Sequence, residues 1–119
     1  MQIPIEISYR NIAKNSDLDG LIRERAEKLT RVCGSLVSCR VAVEKPQEQQ
    51  DSGNPYRVRI DVRVPPGNEL VVRKEPGQEK TQTDVRAVVN DAFDAMSRRL
   101  RDLNDRRQDR AKKPPSRKA

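Results

Sequence analysis

Tyr56-Arg57-Val58-Arg59-Ile60-Asp61-Val62-Arg63-Val64 alternates apolar and mostly charged side chains, and Pro65-Pro66-Gly67-Asn68 follows it directly. A period of two is that of a strand with one face buried and the other in water. The turn residues reverse the chain, and Leu70 to Lys74 supplies the returning strand of a hairpin. An antiparallel pair with one apolar face must be covered by another layer, and the flanking sequence carries two helical patterns able to form it.

Toward the N-terminus, Cys39, Val41 and Val43 point one way while Arg40, Ala42 and Glu44 point the other, until Pro46 opens a polar loop running to Pro55. Before this strand, Asn15 or Ser16 caps a helix whose stripe is Leu18, Leu21, Ile22, Ala26, Leu29 and Val32, with a left-handed stop expected at Gly34. Ile3, Ile5 and Ile7 alternate with Pro4, Glu6 and Ser8 as a first strand. Toward the C-terminus, Pro76-Gly77 breaks the chain and Thr83-Asp84 caps a long helix carrying Val85, Val88, Val89, Ala92, Phe93, Met96, Leu100 and Leu103. The next stripe positions are Arg107 and Arg110, so the helix should overhang the core or fray there, and the core should end near Leu103. The order β-α-β-β-β-α, with a right-handed crossover joining parallel strands one and two, predicts an α+β two-layer domain: a four-stranded sheet with two helices packed on one face. Residues 1–103 form this domain in the sequence reading, and residues 104–119 form a basic, disordered tail.

A chain of 119 residues accommodates one core. It holds 15 Lys/Arg and 15 Asp/Glu in residues 1–97, against 10 and 3 in residues 98–119, so the net charge of +7 is C-terminal. A basic segment neutralises phosphates and gains affinity by counterion release, which favours an acidic partner; solubility alone is the other account of such a run. No apolar run is long enough to span a bilayer, and the N-terminus lacks the layout of a signal peptide, so the expected location is the cytoplasm, without a membrane partner.

Cys33 and Cys39 are the two cysteines and there is no His, which predicts reduced buried thiols and neither a metal site nor a cofactor. The single glycines never form a phosphate-cradling loop, and the acids lie beside bases on exposed faces. No small-molecule substrate and no enzymatic activity are expected.

The positive chemistry lies on the helices. Arg23, Arg25, Lys28 and Arg31 on the first, and Arg86, Arg98, Arg99 and Arg101 on the second, fall off the apolar stripes or at their borders. Two basic helix faces meeting one RNA is one reading. Ion pairing with Glu24, Glu27, Asp91, Asp94 and Asp102, which leaves ordinary solvated surfaces, is the other. Arg57, Arg59 and Arg63 on the open sheet face rank lower, because Glu6 and Glu44 are available as cross-strand partners. Base stacking is disfavoured: Tyr56 and Phe93 read as core, which leaves Tyr9 alone for an open face. Backbone and shape recognition by Lys/Arg remains, and a large folded RNA suits it.

These residues resemble the ribosome hibernation-promoting factor and ribosome-associated translation inhibitor family over about residues 2–103. The resemblance rests on Ile3-x-Ile5-x-Ile7 with Arg10-Asn11-Ile12, on Leu21-Ile22 and Arg25-Ala26-Glu27-Lys28-Leu29, on Val41-Ala42-Val43-Glu44-Lys45, and on Asp84-Val85-x-Ala87-Val88-Val89 with Asp94, Met96, Arg98 and Leu100. It implies a hibernation factor of the short type that binds small-subunit ribosomal RNA and inhibits translation under stress, with Arg25, Lys28, Lys45 and Arg98 as first-choice phosphate ligands. The chain departs from the family pattern at Arg86, where an aromatic is usual, and at Ala95 and Asp102, where Lys is usual. A diverged member acting as a protein-interaction module without the ribosome is the alternative expectation.

Overall fold

The computed structural model describes residues 3–45, 56–75 and 84–112, with side chains of the last segment described to Arg106. The elements are β1 (Ile5–Arg10), α1 (Ser16–Val32), β2 (Ser38–Glu44), β3 (Arg57–Val64), β4 (Asn68–Lys74) and α2 (Val85–Lys112). The sheet order is β1-β2-β3-β4, with β1 parallel to β2 and the other pairs antiparallel. Both helices lie on the face bearing Cys39, Val41, Val43, Val58, Ile60, Val62 and Val64, as the strand and helix patterns predict.

The hairpin closes as the sequence dictates. Val64 pairs with Asn68, and Gly67 turns the chain at φ 87°, a conformation that strains any residue with a Cβ. Asn15, in extended conformation, caps α1 by accepting from the amides of Asp17 at 2.8 Å and Leu18 at 3.3 Å. Asp17 and Asp19 in the first turn and Arg31 in the last complement the helix dipole. Across the middle of the sheet Phe93, Met96, Ile22 and Ile60 are fully buried.

Two expectations are corrected. Gly34 does not stop α1 in a left-handed conformation: Cys33 turns extended at φ −140°, and its amide donates to the Leu29 carbonyl at 3.0 Å. The Cys33 side chain is fully buried, so tertiary packing ends this helix. Tyr9 does not belong to an open face; it points to the core side, half-buried, and donates its hydroxyl to Asp19 at 3.0 Å. Of the two courses open to the second helix past Leu103, overhanging the core or fraying, α2 takes the first and stays helical through Lys112. Arg, Gln, Ala and Lys are strong helix formers and extend a helix already nucleated by its packed half. The Pro46 to Pro55 loop, the Pro76-Gly77 break, Thr83 and residues 113–119 lie outside the described residues.

Candidate nucleic-acid interface

The two helices run parallel, side by side. Arg86 of α2 reaches Asp17 of α1 at 3.9 Å near their N-terminal ends. Arg25 bonds Asp94 at 2.5 Å and the Asn90 carbonyl at 3.3 Å in the middle. Asn104 donates to the Val32 carbonyl at 3.5 Å near the end of α1. Between the C-terminal half of α1 and the middle of α2 lies an open groove of about 310 Å³. Leu29, Val32 and Phe93 belong to its lining, with Arg25, Lys28, Arg98 and Arg101 and the polar Asp94 and Ser97. Four cations against one carboxylate make it a net-positive trough with an apolar component, a form that suits a phosphate backbone.

The sequence-predicted residues divide on this geometry. Arg25, Lys28, Arg98 and Arg101 come together. Arg25 is held by Asp94, and Lys28 stands 3.8 Å from Glu24, an exposed pair of little energetic weight. Arg98 and Arg101 have no ion-pair partner among the described residues. Arg31 is exposed beside the groove's end of α1, likewise unpaired among the described residues. Arg23 is taken by Asp19 at 2.9 Å and Arg86 by Asp17, both toward the N-terminal ends of the helices. Lys45 follows β2 in the sheet layer, where its amide donates to the Arg10 carbonyl at 3.1 Å, and does not line the groove. Arg99 faces away from it and donates to the Val71 carbonyl on β4.

Asp94 and Ser97 were absent from the sequence-derived set of ligands. The sequence offers Asp94 as an ion-pairing acid, and it is one. Its place inside the groove follows from the helix alignment, for which no local signal exists.

The open face of the sheet is charge-balanced in most rows. Arg57 is bonded by Glu75 at 2.8 Å and Glu44 at 3.1 Å, which raises its pKa further above the ordinary range. Glu44 thus serves as the partner foreseen for it, whereas Glu6 pairs with Arg40, at 3.3 Å. Arg59 lies 3.4 Å from Asp61, and Arg63 stands in register with Glu69.

Elsewhere, burial pushes the Tyr9 hydroxyl up to about 12, with the Asp19 bond adding to it. Arg23 first, then Tyr9, hold the Asp19 carboxyl below its usual range. Burial also pushes the Cys39 thiol up to about 12, with the Asp61 charge adding. A thiol so placed is protonated at neutral pH and a poor nucleophile. Cys33 and Cys39 are both free and buried. Among the described residues no group of His, Cys, Asp and Glu could hold a metal ion, and no helix is long and apolar enough to cross a membrane.

The family profile of the sigma 54 modulation protein / S30EA ribosomal protein matches residues 5–108. The chain belongs to this family. The S30EA match takes in all four strands, α1 and the packed part of α2, including every groove residue. Two solved structures share the S30EA fold seen here. The Protein Y N-terminal domain of Thermus thermophilus is 17% identical with a TM-score of 0.64, covering 87% of this chain and 99% of its own. A ribosomal subunit interface protein from Coxiella burnetii is 13% identical with a TM-score of 0.65, covering 86% and 98%. No curated protein sequence matches this chain.

Proposed function

We propose that this chain is a ribosome-associated hibernation factor: it binds small-subunit ribosomal RNA through the groove between α1 and α2 and restrains translation under stress. The observation that carries this reading is the convergence of Arg25, Lys28, Arg98 and Arg101 on one trough, in a chain of the S30EA ribosomal protein family. Recognition is by phosphate position and RNA shape, since the open sheet face presents no aromatic among the described residues and stacking has no platform. Binding by a handful of phosphate contacts is steeply salt-dependent. The role asks for occupancy of a site and no bond chemistry, which agrees with buried, protonated thiols.

Sedimentation of purified small subunits with the protein tests the reading. Co-sedimentation at about 50 mM salt, and its loss toward about 200 mM, is expected. Protein remaining unbound at the lower salt overturns it. The pairing of Arg25, Arg23 and Arg86 with acids favours a second reading, an interaction module without RNA. Capture of a protein partner by a chain that ignores ribosomes at low salt supports that alternative.

A further inference from the structure

The two edges of the sheet are treated differently. At β4, α2 packs alongside and Arg99 covers the Val71 carbonyl. At β1, no strand among the described residues pairs with the outer edge. An uncovered edge presents unpaired peptide groups that template another strand.

Which peptide groups are presented follows from the β1–β2 ladder. Cys39 donates to the Pro4 carbonyl at 3.2 Å and Lys45 to the Arg10 carbonyl at 3.1 Å, with Ile5 to Arg10 in register with Cys39 to Glu44. The parallel pattern therefore turns Glu6, Ser8 and Arg10 toward β2 and leaves the amides and carbonyls of Ile5, Ile7 and Tyr9 directed outward. The same three side chains are only partly buried, whereas their in-register neighbours Cys39, Val41 and Val43 are at most 2% exposed. Charge is incomplete here too. Arg10 stands in register with Glu44, but Glu44 is bonded by Arg57, and Arg10 has no ion-pair partner among the described residues.

The strand complements itself. Laid antiparallel against a second copy about Ser8, Ile7 faces Tyr9 twice and exchanges outward peptide hydrogen bonds with it, while Glu6 faces Arg10 twice on the opposite face. A shift of one residue would set apolar side chains against charged ones. A two-residue shift, centred on Ile7, would leave Arg10 against Pro4 and Glu6 against Ser8, with no charge matched.

We propose that β1 is a homodimer edge: two copies of this chain pair their β1 strands antiparallel about Ser8, Glu6 of each copy facing the partner's Arg10. The interface is isologous, and its two-fold axis stands normal to the sheet. A continuous eight-stranded sheet results, with all four helices on one face and both interhelical grooves exposed on the same side. One short strand per copy makes a small, weak interface, so the dimer forms at micromolar or higher concentration. The dimer does not depend on the RNA-binding reading.

Sedimentation velocity of the full chain without RNA, over a wide concentration range at low salt, measures it. Glu6→Arg and Arg10→Glu each set like charges together twice and should raise the dimer dissociation constant about tenfold or more; the double variant E6R/R10E should restore it. Circular dichroism verifies that each variant is folded. Ser8→Cys, oxidised with diamide, should give a covalent dimer, because the residue lies on the axis at a Cα separation of about 4.5 Å while Cys33 and Cys39 are buried. A wild-type chain that stays monomeric throughout, or a dimer indifferent to both reversals, overturns the proposal. The Ser8→Cys arm decides alone if a reversal variant fails to fold: no covalent dimer means no such pairing.

Discussion

Arg25 of α1 and Asp94 of α2 meet at 2.5 Å, so the one carboxylate lining the interhelical groove is neutralised by a cation from the opposite wall. The same guanidinium holds the Asn90 carbonyl, which fixes its position whether or not Asp94 is charged. Asp94 therefore tempers the attraction of the groove for anions without being needed to place Arg25.

Asp94→Asn should strengthen RNA binding about threefold to tenfold at low salt, an electrostatic effect of roughly 1 kcal/mol. Fluorescence anisotropy with a small-subunit RNA fragment measures it, and the gain should persist in a background of Arg25→Ala, where Asp94 faces the RNA without its partner. Weaker binding by Asp94→Asn would show that the ion pair organises the site rather than masking it.

Arg98→Ala and Arg101→Ala should each weaken binding and lower the slope of log affinity against log salt by about 0.7 to 0.9, the value of one phosphate contact. Arg23→Ala should leave the slope unchanged, since Arg23 lies outside the groove and is occupied by Asp19. Equal effects from all three would move the RNA contact off the groove.

The strands were readable because alternation is a local property: Tyr56 to Val64 assigns each side chain to a face with no knowledge of the rest of the chain. The helix stripes from Leu18 to Val32 and from Val85 to Leu103 were readable for the same reason. The groove was legible only as a set of candidates. Arg98 and Arg99 are neighbours in sequence and read alike, yet about 100° of helical rotation sends one to the groove and the other to the edge of β4. The meeting of Arg25 with Asp94, 69 residues away, is set by the parallel alignment of two helices, which depends on how both stripes seat on the sheet. Gly34 shows the converse, a local stop signal overridden by the burial of Cys33.

Arg99→Ala should separate stability from binding. It removes the side chain covering the Val71 carbonyl at the β4 edge and should cost about 1 kcal/mol in urea unfolding, with RNA affinity nearly unchanged. Arg98→Ala, one position earlier, should do the reverse. A loss of RNA binding in Arg99→Ala without loss of stability would restore Arg99 to the set of phosphate ligands.

The Tyr9–Asp19–Arg23 chain ties the end of β1 to the start of α1, and its titration predicts a stability profile with two limbs. Asp19 is held below the usual carboxylate range, so its contribution is present above that range and is lost as pH falls through its lowered pKa. Tyr9 is raised to about 12, so its contribution is intact below pH about 10 and is lost as pH climbs toward 12. Tyr9→Phe should lower the melting temperature by a few degrees at pH 7, flatten the alkaline limb, and move the Asp19 titration back toward ordinary values while Arg23 keeps part of the shift. Carbon-detected NMR titration of the Asp19 carboxyl reads this directly. An Asp19 pKa unmoved by Tyr9→Phe would mean that Arg23 alone sets it, with the tyrosine acting as a packed ring rather than as a hydrogen-bond donor.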